Sequence, residues 1–277
     1  MTESTVTKND MTPPREEAHP SLLVINLIGL MTIISKETQR VRRIWVQTIV
    51  PPVITMTLYF VIFGTLIGRR IGEMDGVPYM NYIAPGLIMM SVITNAFGNV
   101  VSSFFSAKLQ LFLEEMLVSP LSYATIVLGF VAGGMVRAMA VALIVTGVAL
   151  FFTNLDVAHP FITLSIVLLT AMVFSLAGLI NAIFATKFDD VSIFPTFVLA
   201  PLTYLGGVFF SISLLSPTWQ KVALLNPVLY MVNGFRYGML GVSDIDIRVA
   251  YGIILTFFFV LFTTAMVLLK RGTGIRQ

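Results

Sequence analysis

The sequence predicts an all-α, polytopic membrane protein with six transmembrane helices, and three observations carry that prediction. Hydrophobic residues make up 57% of the 277 residues and charged ones only 11%, against about 25% charged in an ordinary soluble domain. Mean hydropathy is +0.91. Apolar runs recur that are long enough, at about 1.5 Å rise per residue, to cross a hydrocarbon core of about 30 Å as helices. Strands in lipid would alternate inward and outward residues over about ten positions, and no such alternation is present.

Residues 1–20 are polar, contain Pro13, Pro14 and Pro20, and offer no apolar face. They predict a disordered cytoplasmic tail, and their acidic residues argue against a signal peptide. The next run, SLLVINLIGLMTII at 21–34, falls short of the roughly 20 residues a span needs. Joined to the basic KETQRVRR, residues 21–43 read as an amphipathic interfacial helix, with a tilted first span as the alternative. Arg40, Arg42 and Arg43 sit at headgroup level in either case.

Residues 44–277 form the transmembrane domain, with spans expected at about 46–68, 82–106, 121–152, 159–185, 192–213 and 249–269. The third is longer than a bilayer requires, so it must tilt or protrude. Between the last two lies a moderately apolar stretch broken by Pro217, Pro227 and Gly234, which is neither a soluble loop nor an ordinary span. The distribution of Lys and Arg sets the orientation. Inside segments hold Lys8, Arg15, Lys36, Arg40, Arg42, Arg43, Lys108, Lys187, Lys270, Arg271 and Arg276. The outside holds Arg69, Arg70, Lys221, Arg236 and Arg248, so both termini are expected in the cytoplasm.

KLQLFLEEMLVSPLS, residues 108–122, is a short acidic helix between two apolar runs, on the inside of this topology. At 100° per residue Leu109, Phe112, Leu113 and Met116 form one apolar stripe. Opposite them Leu111 and Val118 make a small apolar knob framed by Glu114 and Glu115. Such a surface suits docking into a partner's groove, where apolar anchors give affinity and rim charges give register. The alternative is a solvated loop helix whose carboxylates face water. Ser119-Pro120 closes it, since the residue before proline is pushed out of the α region.

Several chemistries are excluded. With no cysteine there is no disulfide, iron–sulfur cluster or thiolate catalysis, and His19 and His159 stand alone, without the companions a metal site needs. No cofactor, metal or catalytic residue is expected in this chain. A net charge of +3 spread along the sequence does not suit nucleic acid. No Gly-Lys pair occurs, so there is no phosphate-binding loop for ATP, and any energy must come from another subunit or an ion gradient.

Charges within the spans are scarce. Arg137, in VAGGMVRAMAVA, is the exception. It faces a translocation path, a dimer seam or a partner carboxylate, or else snorkels from a tilted third span. Asn95 and Asn99, one turn apart in the second span, either line a polar path or hydrogen-bond between helices. Gly129, Gly133 and Gly134 allow close helix approach. Pro195 and Pro201 interrupt the fifth span as a flexing element or a static kink. Asp189-Asp190 reads as a helix cap and turn, with a partner contact as the alternative.

The stretch LEEMLVSPLS, set in a six-span chain with an interfacial amino-terminal helix, resembles the permease subunits of type 2 ATP-binding-cassette (ABC) exporters, which in bacteria export drugs, polysaccharides and nodulation lipo-oligosaccharides. So does PLTYLGGVFFSISLLSPTWQKVALLNPVLYMVNGFRYGMLG, and the likeness covers nearly the whole chain after residue 20. The resemblance implies a multi-pass protein of the bacterial inner membrane. It implies a homodimer, or a pairing with a related permease, carrying two copies of an ABC ATPase that binds ATP and Mg. Residues 107–118 would be the coupling helix, with Leu111, Glu114, Glu115, Met116 and Val118 docking the ATPase. Residues 214–240 would form outer re-entrant half-helices that include Pro217, Asn226, Pro227, Asn233 and Arg236. An apolar, aromatic and methionine-rich path suits an amphipathic or lipid-linked substrate. An ion-coupled carrier or membrane-embedded enzyme acting without an ATPase is the competing function.

Overall fold

The computed structural model describes residues 21–274; the expected tail at 1–20 lies outside them. The chain is all-α apart from a two-stranded hairpin, β1 (Glu73–Met74) with β2 (Val77–Pro78). The long helices are α1 (Leu22–Arg43), α2 (Trp45–Tyr59), α4 (Tyr79–Leu109), α6 (Tyr123–Ala149), α7 (Pro160–Phe184) and α12 (Ile247–Arg271). Shorter ones are α3 (Gly68–Ile71), α5 (Phe112–Val118), α8 (Phe188–Phe194), α9 (Ala200–Tyr204), α10 (Pro217–Leu224) and α11 (Pro227–Leu240). Among the described residues six helices are long and apolar enough to cross a membrane, α2 being counted with the π-helical turns that continue it to Gly64.

Those six include α1 and leave out the fifth expected span. That segment is built from pieces of 7, 5 and 5 residues: α8, a π-helical turn at Pro195–Leu199, and α9. Proline removes an amide donor and clashes with the preceding turn, and Pro195 and Pro201 open those two joints. Helix ends at Tyr204, short of the expected 213, because Gly207 takes a positive φ of 72° and turns the backbone away. The longest helix is α4, at 31 residues, rather than α6 at 27.

Helix α4 is the axis of the molecule. Most of its side chains are buried, against α7 on one side and α6 on the other. Its fit to α7 depends on Gly178, where an added Cβ would stand 2.6 Å from the Phe97 carbonyl oxygen. Helix α1 lies along the first half of α6. Asn26 Oδ1 accepts from the Ser122 amide and the Thr125 hydroxyl, both at 2.7 Å. Further along, Ile33 rests on Gly129 and Glu37 on Gly133. The spacing of Gly129 and Gly133 therefore removes side chains where α1 approaches, while Gly134 faces Val100 and Ser175 instead.

Candidate functional site

Two polar assemblies stand out at opposite ends of α4, and the short helix α5 projects from one of them. α4 continues through Leu109, so residues 107–109 of the expected coupling helix belong to it. The chain then turns at Leu111, a non-glycine residue with φ of 63°, before α5 runs from Phe112 to Val118. A seven-residue helix is too short to persist by itself. It is held by Leu113, which is fully buried, and by Met116 and Leu117, packed on the core. Leu111, Glu114, Glu115 and Val118 face outward, with Val118 87% exposed. Met116, expected to dock beside them, turns inward toward the core. Phe112 takes the Lys36 ammonium over its ring at 4.9 Å, which joins α5 to α1.

Lys108 secures the base of α5. Its Nζ donates to the carbonyls of Ile183 and Ala185, both at 2.8 Å, at the carboxy-terminal end of α7. A cation suits that position, where unpaired carbonyls give the helix terminus a partial negative charge. Beside it, Asp190 accepts from the Thr186 hydroxyl and from the amides of Thr186 and Lys187 at 2.7–2.9 Å. The Thr186 hydroxyl, followed by these amides, holds the Asp190 carboxyl below the usual carboxylate range.

One helical turn or two deeper, α1 is tied to α4 by an ion pair that sequence reasoning did not identify. Glu37, only 3% exposed, meets Arg40 at 3.2 Å and accepts from the Ser103 hydroxyl. Arg40 Nη2 also donates to Asn99 Oδ1 at 2.8 Å and to the Asn99 carbonyl at 3.0 Å. Asn99 thus bonds between helices, whereas Asn95 donates back to Ser91 of its own helix. Arg137 lies nearby on α6, half-buried, and its Nε has no hydrogen-bond partner among the described residues. The pair of Glu37 and Arg40 is the ion pair found among the described residues, and Arg137 has no carboxylate there.

At the other end of α4, the expected re-entrant region is helical and broken as its prolines require. Pro217 and Pro227 each occupy the first turn of a helix, α10 and α11, where a missing amide costs nothing. Asn226 caps α11 by accepting from the Val228 amide at 3.0 Å and donates to the Leu202 carbonyl at 2.6 Å. Asn233 and Arg236 are both fully buried. Arg236 donates to the carbonyls of Tyr82 at 3.3 Å and Gly207 at 2.6 Å, and to Asn233 Oδ1 at 3.3 Å. Asp244 accepts from the Ser211 hydroxyl at 2.6 Å and the Ile212 amide at 3.2 Å, and its amide donates to Asn233. Neither Tyr82 nor Asp244 carried a sequence signal, since a lone Tyr or Asp near a span end is ordinary.

No group of three or more potential metal ligands occurs among the described residues. Chemically the assemblies do one thing: they clamp helices of distant sequence with charge-assisted hydrogen bonds.

Comparison with known proteins gives a consistent result. The profile of the ABC-2 type transporter family matches residues 29–240. The chain is 54% identical over 251 residues to the inner membrane transport permease YadH of Escherichia coli strain K12, covering 90% of this chain and 98% of that protein. It is 26% identical over 218 residues to nodulation protein J of Rhizobium leguminosarum bv. viciae, covering 77% and 83%, and 23% identical over 215 residues to nodulation protein J of Rhizobium meliloti, covering 77% and 82%. The chain belongs to the ABC-2 type transporter family.

Proposed function

We propose that this chain is the transmembrane permease of an ATP-driven exporter of the bacterial inner membrane, non-catalytic itself and powered by a separate ABC ATPase. Two permeases, as a homodimer, carry two ATPase copies on the cytoplasmic side, where both termini lie and where α1 runs along the bilayer interface. Helix α5 is the coupling helix, and closure of the ATPases on ATP and Mg pushes it. The push passes to α4 through the turn at Leu111 and to α7 through Lys108. The substrate, amphipathic or lipid-linked, leaves through the seam between permeases. The re-entrant pair α10–α11 closes the outer end.

The observation that carries this reading is the two-sidedness of α5, with Leu113 buried and the knob of Leu111, Val118, Glu114 and Glu115 turned outward. An apolar knob rimmed by two carboxylates has a reason to face away from the protein if a partner receives it. The scarcity of ionisable groups in the spans also favours an external ATPase over an ion-coupled carrier. Purification of the full chain from its native membrane, with the co-purified proteins quantified, tests the reading. A stoichiometric ABC ATPase is expected, and vesicles containing only this chain that accumulate substrate on an ion gradient would overturn it.

A further inference from the structure

A cavity of about 560 Å3 opens between α1, the last turns of α4, α5 and the start of α6. Part of its lining is apolar, from Gly29, Ile33, Leu121 and Phe130, and part is cationic, from Lys36, Arg40 and Arg43. Glu37 and Glu115 also line it. Glu37 is already engaged by Arg40 and Ser103, and Glu115 is exposed on the α5 side. Arg137, on α6, is not part of the lining. The three basic groups of the lining outnumber its two carboxylates.

The same cluster holds hydrogen-bond donors with nothing to receive them. Arg40 Nε, Arg137 Nε and Asn99 Nδ2 are buried without partners among the described residues. Buried donors are normally satisfied, and of these three groups Arg40 is the one that lines the cavity. The neighbouring surface is apolar, for Leu23, Leu27, Ile28 and Met31 of α1 are all exposed. An anion that also carries hydrocarbon fits both halves of this environment, whereas a free ion fits one.

We propose that this cavity binds the anionic headgroup of a membrane phospholipid. The phosphate meets the side formed by Lys36, Arg40 and Arg43, and an acyl chain follows the exposed apolar face of α1. The lipid bridges α1 to α4 and α6 beside the unpaired Nε of Arg40. This rests on the functional reading only in taking the chain to be embedded in a bilayer, and does not depend on an ATPase.

The test uses the full chain in nanodiscs of mixed phosphatidylcholine and phosphatidylglycerol, followed by native mass spectrometry of the retained lipid. Phosphatidylglycerol is expected to be retained over phosphatidylcholine by the parent and by Arg42→Gln, a substitution on the same helix but outside the cavity lining. Lys36→Gln combined with Arg43→Gln, both in the lining, should lower that retention about tenfold, the worth of one charge-assisted hydrogen bond. Should the double variant lose helicity, Lys36→Gln alone, at an exposed position, is expected to lower retention in the same direction. Equal retention of the two lipids, or equal loss in Arg42→Gln, overturns the proposal. Displacement of the lipid by millimolar inorganic phosphate would reduce the site to a free-anion site and also overturn it. Because Lys36→Gln also removes the contact to Phe112 of α5, ATPase co-purification is read in Arg43→Gln, where it is expected to be unchanged, so failure of the lipid site is distinguishable from failure of the docking reading.

Discussion

The guanidinium carbon of Arg236 lies 3.9 Å from the centre of the Tyr82 ring, while its nitrogens reach the carbonyls of Tyr82 and Gly207. A buried cation is tolerated here because its donors meet carbonyls at several angles and its flat face meets a π-cloud. This contact fixes α11 to α4 and holds the turn after α9. Arg236→Lys keeps the charge but loses the planar fork, and is expected to destabilise the protein by about 2–4 kcal/mol. Thermal unfolding in detergent checks this; a melting temperature equal to the parent's would remove Arg236 from the stabilising network.

Lys108 ends α4 and caps α7, so Lys108→Met is expected to leave the carbonyls of Ile183 and Ala185 unpaired. The cost is about 1–3 kcal/mol. Since α5 follows directly, substrate-dependent ATP turnover in the assembled transporter should fall more than ATPase binding does. Equal losses in both would mean that Lys108 acts on folding alone.

Charge reversal at the exposed rim of α5 separates docking from folding. Glu114→Lys with Glu115→Lys is expected to weaken ATPase association several-fold through lost complementarity. Melting temperature should hardly move, because exposed substitutions usually stay within about 0.5 kcal/mol. Co-purification and ATP turnover at the parent's level would count against the assignment of α5.

Two glycines give a paired steric test. A Cβ at Gly133 would stand 2.6 Å from Glu37 Cβ, whereas one at Gly98 meets nothing within 4 Å. Gly133→Val is therefore expected to cost about 1–3 kcal/mol by overpacking and to loosen α1. Gly98→Ala should be neutral or stabilising by about 1 kcal/mol, since glycine is a poor residue in a helix interior. Proteolysis in the segment around Arg43 reads out the release of α1, and equal cleavage in both variants would contradict its seat on α6.

Asp190 gives a pH dependence of known sign. Its folded value lies below the ordinary 3.8, chiefly through the Thr186 hydroxyl and then the Thr186 and Lys187 amides. The unfolded state therefore binds the proton more readily. The stabilisation is complete above the ordinary value and is lost as the pH falls through the depressed one. Asp190→Asn is expected to flatten this acid limb in melting curves, and an unchanged limb would show that other carboxylates set it.

Part of the site was legible because its geometry is local. Within α5 the angle between Leu113 and Val118 follows from 100° per residue, which puts one inside and the other outside, whereas Leu109 and Phe112 of the expected stripe are exposed and Leu111 lies in the turn before the helix. The cap at Asp190 and the first-turn prolines Pro217 and Pro227 are likewise local choices of backbone chemistry. Met116, which the resemblance placed among the docking residues, turns inward because it shares the stripe of Leu113. Glu37 was hidden within a basic segment that reads as headgroup-facing, and nothing in KETQRVRR distinguishes a buried carboxylate from a solvated one.

By itself the sequence determined that this protein is a helical membrane protein, since hydropathy and span length are properties of composition and local order. Only the tertiary structure decided which polar groups meet. Arg40 reaches Asn99 across 59 residues, and Arg236 reaches Tyr82 across 154. Such encounters depend on how glycine seats such as Gly129, Gly133 and Gly178 let helices approach, and on which way each side chain then points. A shift of one residue in helix register rotates a side chain by about 100°, enough to exchange a buried ion pair for a solvated charge.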